Sequence, residues 1–191
     1  MILAVPPSRW SSIQFSPGLP PFLNPQMGKN IKFLMGLKRQ FWVDDNLGPE
    51  FSSDGPINLT WESTANQSAI ADASALAAFS GGEDAEKCRE WTPKERRRKY
   101  LYELGRFYMG VRRSVVKDRF EDWPANEWVK ASYAFPRPDE ILKCGRFLSE
   151  GRGRLHFAGE HTCYAFIGYM EGALQSGLRV AERLAKRDGV I

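Results

Sequence analysis

The spacing of apolar and polar positions changes period along the chain, and that change predicts its elements. Asn30 to Leu37 has the two-residue period of a strand, with Ile31, Phe33, Met35 and Leu37 on one face and Lys32, Leu34 and Gly36 on the other. Ile2-Leu3-Ala4-Val5 is a continuous apolar run stopped by Pro6-Pro7. It predicts a short strand buried on both faces, and a chain that begins inside such a strand reads as truncated. Further strands are expected at Ile57 to Trp61, Ala75 to Phe79, Arg112 to Lys117 and Leu155 to Ala158. Ser8 to Gly28, around a short extended Ile13-Gln14-Phe15, and Asp44 to Pro56 have the Pro, Gly, Ser, Asp and Asn content of loops.

Two stretches shift to the three-and-four spacing of helices. Gly81-Gly82 precedes a short helix around Glu83 to Trp91, and Thr92-Pro93-Lys94-Glu95 opens a longer one. Thr92 serves there as N-cap, Pro93 takes the first helical position and Glu95 closes a capping box. Tyr100, Leu101, Leu104, Phe107 and Tyr108 give that helix an apolar stripe. A last helix from Tyr169 to Lys186 carries Met170, Leu174 and Leu178 on one stripe and stops at Gly189. Between these helices, Trp123-Pro124 and Trp128 fall in an irregular region that ends at Tyr133 and Pro136.

With 191 residues, 42% hydrophobic and 26% charged, the chain suffices for one ordinary globular domain and is too short for two large ones. Fibrous, low-complexity and disordered classes are excluded. No apolar run approaches the ~20 residues of a bilayer span, and the first residues lack the pattern of a signal peptide, so a cytoplasmic chain without a membrane span is expected. Cys88, Cys144 and Cys163 are odd in number and far apart, which offers neither a disulfide framework nor a Cys-x-x-Cys metal site and points to a reducing compartment. His156 and His161 are the only histidines, so no metal site is expected. Lys and Arg number 27 against 23 Asp and Glu, a net of +4, too mild an excess to imply a nucleic-acid partner. The run Arg96-Arg97-Arg98-Lys99 reads as a solvated helix face; a polyanion-binding module is the competing reading, and no nucleic-acid motif accompanies it.

Lys32 stands among small and apolar neighbours and admits two explanations. On an edge strand it reaches solvent with its stem along the sheet. In a cavity, desolvation lowers its pKa and its ammonium faces a ligand. Strand alternation does not choose between them. The segment from Gly153 to Gly177 reads as strand, Gly-Glu, short loop and a glycine-flanked helix start. Small residues at Gly168, Gly172, Ala173, Ser176 and Gly177 admit a flat ligand or a neighbouring backbone, and the helix start suits an electron-rich carbonyl or a phosphate. Close helix packing on a sheet explains the glycines equally well.

Phe157-Ala-Gly-Glu-His-Thr162, Gly168-Tyr-Met-Glu-Gly-Ala-Leu174 and Ser176-Gly177 together closely resemble the C-terminal FAD motif of flavin-containing amine oxidases, a group that includes monoamine, polyamine and L-amino-acid oxidases. Ile2-Leu-Ala-Val-Pro-Pro7, Ile13 to Pro20, Met27 to Lys32 and Phe41-Trp42 follow in the family's order, so the resemblance covers nearly the whole chain as the family's C-terminal part. It implies an α+β or α/β fold: a mixed-sheet substrate domain plus the closing strand and helix of the FAD domain. Residues 1–10 and 141–191 would belong to the FAD domain and residues 11–140 to the substrate domain.

The resemblance also assigns roles. Lys32 matches the lysine that reaches the flavin N5 position through a water. Tyr169 and Tyr133 match two aromatic walls that hold a neutral amine over the flavin, a near-attack geometry for hydride transfer. Trp123 matches a tryptophan packed near the flavin. Gly159 and Gly168 lie in the motif's turn, Glu160 matches the acidic residue on the ribityl–phosphate part of FAD, and the Tyr169-Met170 backbone matches the point where the helix start meets the flavin pyrimidine carbonyl. Ser132 stands where monoamine oxidases carry the cysteine that binds flavin, so non-covalent FAD is expected.

No Gly-x-Gly-x-x-Gly follows an N-terminal strand, so the ADP end of FAD has no phosphate-cradling loop in this chain. An N-terminal FAD-binding chain or segment is therefore an expected partner. The implied reaction is oxidative deamination of an amine or amino acid, with oxygen as the final acceptor and hydrogen peroxide as product. Cys163 to Gly172 looks more like bacterial L-amino-acid oxidases than animal monoamine oxidases. The alternative is a non-catalytic remnant or interaction subunit of the same fold.

Overall fold

The computed structural model describes residues 1–67 and 74–190. In chain order the elements are β1 (Ile2–Leu3), β2 (Asn30–Leu37), α1 (Phe41–Asp44), β3 (Leu59–Glu62), β4 (Ser74–Gly81), α2 (Gly82–Glu90), α3 (Pro93–Phe107), α4 (Val111–Ser114), β5 (Val115–Asp122), α5 (Glu140–Glu150), β6 (His156–Phe157) and α6 (Met170–Arg187). They fall into two compact units, one of Lys29–Trp123 and one of Met1–Gly28 with Pro124–Ile191.

The Lys29–Trp123 unit is built on an antiparallel sheet of order β3-β4-β2-β5. In β2 the expected alternation holds: Ile31, Phe33, Met35 and Leu37 are all buried. Register places Phe33 opposite Ala78 and Met35 opposite Leu76, so the middle of one face of the two inner strands is apolar, with buried Ser74 and Ser80 at its ends. Helices α2 and α3 contribute Ala85, Cys88, Tyr100 and Leu104 to the core formed on that face. The Tyr100 ring stacks on Phe33 with centroids 4.7 Å apart, and its hydroxyl meets Ser80 Oγ at 2.6 Å. That bond satisfies a phenol whose burial pushes its pKa well up.

Helix α3 begins as its sequence dictates. Thr92 Oγ1 accepts from the Glu95 amide at 3.3 Å and the Glu95 carboxylate accepts from the Thr92 amide at 3.0 Å, a complete capping box with Pro93 behind it. The basic run that follows is not a uniformly solvated face. Arg96 lies 3.4 Å from the Phe120 ring centroid and donates to the carbonyls of Cys88, Arg89 and Trp91, capping the end of α2. Arg97 pairs with Asp118 at 3.0 Å. The strand expected from Arg112 starts three residues later: α4 occupies Val111–Ser114, and β5 then runs to Asp122.

The other unit is built on β1 and β6, which pair in parallel as Ile2 with His156 and Leu3 with Phe157. Burial of β1 on both faces is not observed. Leu3 is buried but Ile2 is half exposed, because among the described residues β1 has β6 as its one strand partner. Trp10 and Phe157, with ring centroids 5.4 Å apart, join Leu3, Leu23, Cys144 and Leu148 in the core of this unit. Helix α5 has no forerunner in the sequence reading. It starts from Asp139 at φ 63° without a side-chain cap. Its first residue, Glu140, is buried and accepts from the Gln26 amide at 2.7 Å.

Residues 11–28 and 124–140 fold with the β1/β6 unit rather than with the four-stranded sheet. Backbone bonds between 26–28 and 132–135 fix that division: Gly28 donates to Tyr133 O at 2.7 Å, Ser132 to Gly28 O at 2.9 Å and Phe135 to Gln26 O at 3.1 Å. The compact units thus divide at Gly28/Lys29 and Trp123/Pro124, inside the stretch 11–140 expected as one domain.

Candidate active site

In the β1/β6 unit, one carboxylate organises the segment that sequence singles out. Glu160 accepts from the Ala134 amide at 2.9 Å through one oxygen and from the Gly168 amide at 2.6 Å through the other. Ala134 is the neighbour of Tyr133, and Gly168 precedes Tyr169, so Glu160 fixes the backbone beside both tyrosines. The carboxylate takes a structural position here, with both oxygens already accepting. Gly168, at φ 82°, turns the chain into α6, and a Cβ built on it would lie 3.4 Å from the Tyr133 ring.

The rest of the motif is locked from beneath. The Gly159 amide donates to Ser176 Oγ at 2.8 Å, Thr162 Oγ1 donates to Gly159 O at 2.9 Å, and Arg179 donates to Thr162 O at 2.9 Å. Gly172 is required by contact, since a Cβ there would come within 2.2 Å of Phe166 O. At Gly177 a Cβ would meet nothing within 4 Å. Close backbone packing therefore explains Gly172, while Gly177 faces open space. His161 is buried, its Nε2 has no hydrogen-bond partner among the described residues, and burial lowers its pKa to about 4, so it is neutral at physiological pH.

Above this base Tyr133, Tyr169 and Met170 are exposed, Tyr169 and Met170 by 69% and 86%. The first two amides of α6, those of Met170 and Glu171, have no carbonyl to meet within the helix. Exposed aromatic rings beside a glycine turn and free helix-start amides fit the pyrimidine edge of a flavin: a flat apolar body with electron-rich carbonyls.

In the Lys29–Trp123 unit, Lys32 lies on an inner strand, opposite Phe79 of β4 on one side and Glu121 of β5 on the other. The edge-strand explanation for this lysine is overturned, because β2 is paired along both sides. Lys32 Nζ sits 5.5 Å from the centroid of the Trp61 ring, and Trp61 and Phe79 have centroids 6.3 Å apart. The half-buried lysine thus shares its sheet face with two aromatic rings, residues that the sequence reading placed on strands but did not bring to Lys32. Glu121 is ion-paired with Arg119. Trp123 follows β5 in a single 3-10 turn and is partly exposed. Lys32 and Trp123 thus belong to one unit, and Tyr133, Gly159, Glu160, Gly168, Tyr169 and Met170 to the other.

The family model described as flavin containing amine oxidoreductase matches residues 1–185. The chain belongs to that family. Among its relatives, a probable flavin-containing monoamine oxidase A of Dictyostelium discoideum is 29% identical over 96% of this chain and 41% of its own length. An L-amino acid dehydrogenase of Synechocystis sp. is 28% identical over 96% of this chain and 40% of its own. A solved structure of putrescine oxidase bound to putrescine superimposes with a TM-score of 0.86 at 25% identity, covering 97% of this chain and 42% of that one. The flavin amine oxidase fold is therefore shared, and the chain spans about two fifths of the length of these relatives.

Proposed function

We propose that this chain forms the amine-handling and flavin-capping part of an FAD-dependent oxidase that deaminates an amine or amino acid. The observation that carries the reading is the Glu160 clamp, which holds Tyr133 and the Gly168-Tyr169 turn as one piece and leaves their rings exposed beside free helix-start amides. When bound, FAD would supply the two-electron acceptor for oxidation of the carbon bearing the amine, with oxygen as the final acceptor and hydrogen peroxide as product, and the imine would be hydrolysed by water.

Gly159, Glu160, Gly168, Tyr169, Met170 and Trp123 are the residues assigned to non-covalent FAD. Met170 and Glu171 amides donate to it, and Glu160 keeps the turn in place. Tyr133 and Tyr169 present aromatic faces that orient a neutral amine and exclude water around it. Lys32 Nζ would hold a water and assist either substrate oxidation or the reaction of reduced flavin with oxygen; Trp61 and Phe79 beside it favour a substrate with an apolar body.

An N-terminal dinucleotide-binding segment is the proposed partner of the β1/β6 unit. A two-stranded parallel sheet is not stable alone, and α6 leaves Met170, Leu174 and Leu178 exposed by 86, 70 and 62%. Three buried free thiols suit a reducing, cytoplasmic setting. The test is isolation of the native protein from cells that make it. Visible flavin absorption, together with oxygen uptake and peroxide formation on a panel of amines and amino acids, is the expected result. Colourless protein that gains neither flavin nor peroxide formation when FAD is added would overturn the reading.

A further inference from the structure

The basic run at the start of α3 divides by direction. Arg96 and Arg97 are consumed by Phe120, the carbonyls at the end of α2 and Asp118. Arg98 and Lys99 instead line a groove of about 770 Å³ with Arg112, over a floor to which Trp91, Leu101 and Tyr102 contribute. That volume is the size of a small-molecule site.

The cations of the groove outnumber its one acidic lining residue, Glu103. Among the described residues, none of Arg98, Lys99 and Arg112 takes part in an ion pair. Lys99 Nζ stands 4.2 Å from the Trp91 ring centroid, and Arg112 donates through Nε to Leu101 O at 3.4 Å, with no partner for its terminal nitrogens among the described residues. Glu103, which lines the groove, takes Arg106 at 2.9 Å, and Glu95, which closes the capping box, is near enough to Lys99 and Arg98 for their charge to help lower its pKa. Three cations without an ion pair among the described residues, beside an aromatic floor, suit a ligand with one anionic end and one flat apolar end. A polyanion needs cations spaced along a stripe, and here two of the four in the run are spent inside the fold.

We propose that this groove binds an aromatic carboxylate, its carboxylate held by Arg98 and Arg112 and its ring against Trp91 and Tyr102. Titration calorimetry of the full chain with 2-naphthoate and with the neutral 2-naphthalenemethanol tests it. Naphthoate is expected to bind at one site, and the alcohol about tenfold or more weaker. Joint Arg98→Gln and Arg112→Gln substitution should weaken naphthoate about tenfold, whereas Arg98→Lys with Arg112→Lys should retain most of the affinity. Should the Gln pair fail to fold, the acid-against-alcohol comparison and a salt series on the unaltered protein decide alone. Equal binding of acid and alcohol, undiminished binding by a folded Gln pair, or no binding at millimolar ligand would overturn the proposal. So would displacement of naphthoate by a short oligonucleotide with a steep salt dependence, which would mark a polyanion surface instead.

Discussion

The two units solve the problem of burying a sheet in opposite ways. In Lys29–Trp123, four antiparallel strands and the helices packed on them cover one face with fifteen buried residues among those described. In the β1/β6 unit the corresponding cluster has six, and α6 turns its small residues inward. Gly172, Ser176 and Val180 are its buried positions, at i, i+4 and i+8, while Met170, Leu174 and Leu178 repeat the same spacing two residues earlier on the exposed side. One unit closes over its own apolar surface, and the other leaves an apolar stripe of α6 exposed. An antiparallel sheet can leave one face to water, whereas a parallel one is covered on both.

The comparison can be broken most sharply at Phe33. Phe33→Ala removes the ring stacked on Tyr100 in the closed core and should cost about 3–5 kcal/mol, read as a loss of cooperative unfolding or a large fall in denaturant midpoint. A loss below about 1 kcal/mol would show that this core is not the closed one.

Lys32→Met, in the flavin-loaded native enzyme, changes the open face of the same sheet. It should lower the rate of substrate oxidation or flavin reoxidation about a hundredfold with flavin still bound. Stopped-flow measurement of both half-reactions checks this, and unchanged rates in both would remove Lys32 from the chemistry.

In the β1/β6 unit, pH reports on packing. His161 is held neutral in the fold, its pKa lowered to about 4 from 6.5, so the unfolded chain binds more protons between those values. Its contribution is fully present above about pH 6.5 and is lost as pH falls toward 4, a loss of about 2 kcal/mol between pH 7 and pH 5. His156, also lowered by burial and by Arg183 and Arg187, adds a slope of the same sign. His161→Phe keeps a ring against Trp10 and should flatten most of the decline; chemical denaturation at pH 7 and pH 5 measures it. An unaltered slope would mean that His161 titrates normally.

The smallest effect is the most discriminating. Leu174→Gln should change the stability of the chain by itself by less than about 0.5 kcal/mol, because the side chain is already exposed. Set beside an N-terminal segment that covers α6, the same substitution should cost about 2 kcal/mol. Equal small effects in both settings would show that nothing packs on this stripe.

Local signals were legible wherever the residues that decide an element are neighbours in sequence. The Thr92–Glu95 capping box, the alternation of β2 and the glycine stop of α6 all need only a few adjacent residues. Helix α5 was not legible. Its start rests on Asp139 in a left-handed conformation and on Glu140 bonding to Gln26, a partner 114 residues away. The same distance hid the surroundings of Lys32, since strand alternation gives its face but not the register that aligns β2 with Phe79 or carries Trp61 over Nζ. Within the site, the Gly-Glu turn and the tyrosines could be read as a motif. The double use of Glu160 depends on Tyr133-Ala134 returning to it, which only the fold supplies.

The Glu160 clamp also ties the two parts of the tyrosine platform together by a shorter route than the chain between them. Ala134 and Gly168 are 34 residues apart in sequence, yet both amides hang from one side chain. The intervening segment contains an exposed turn at Arg152-Gly153-Arg154, where Gly153 has open space around it. A peptide inserted at that turn would lengthen the covalent route between the two tyrosines while leaving their shared anchor intact, which makes Gly153 the natural place to mount a reporter.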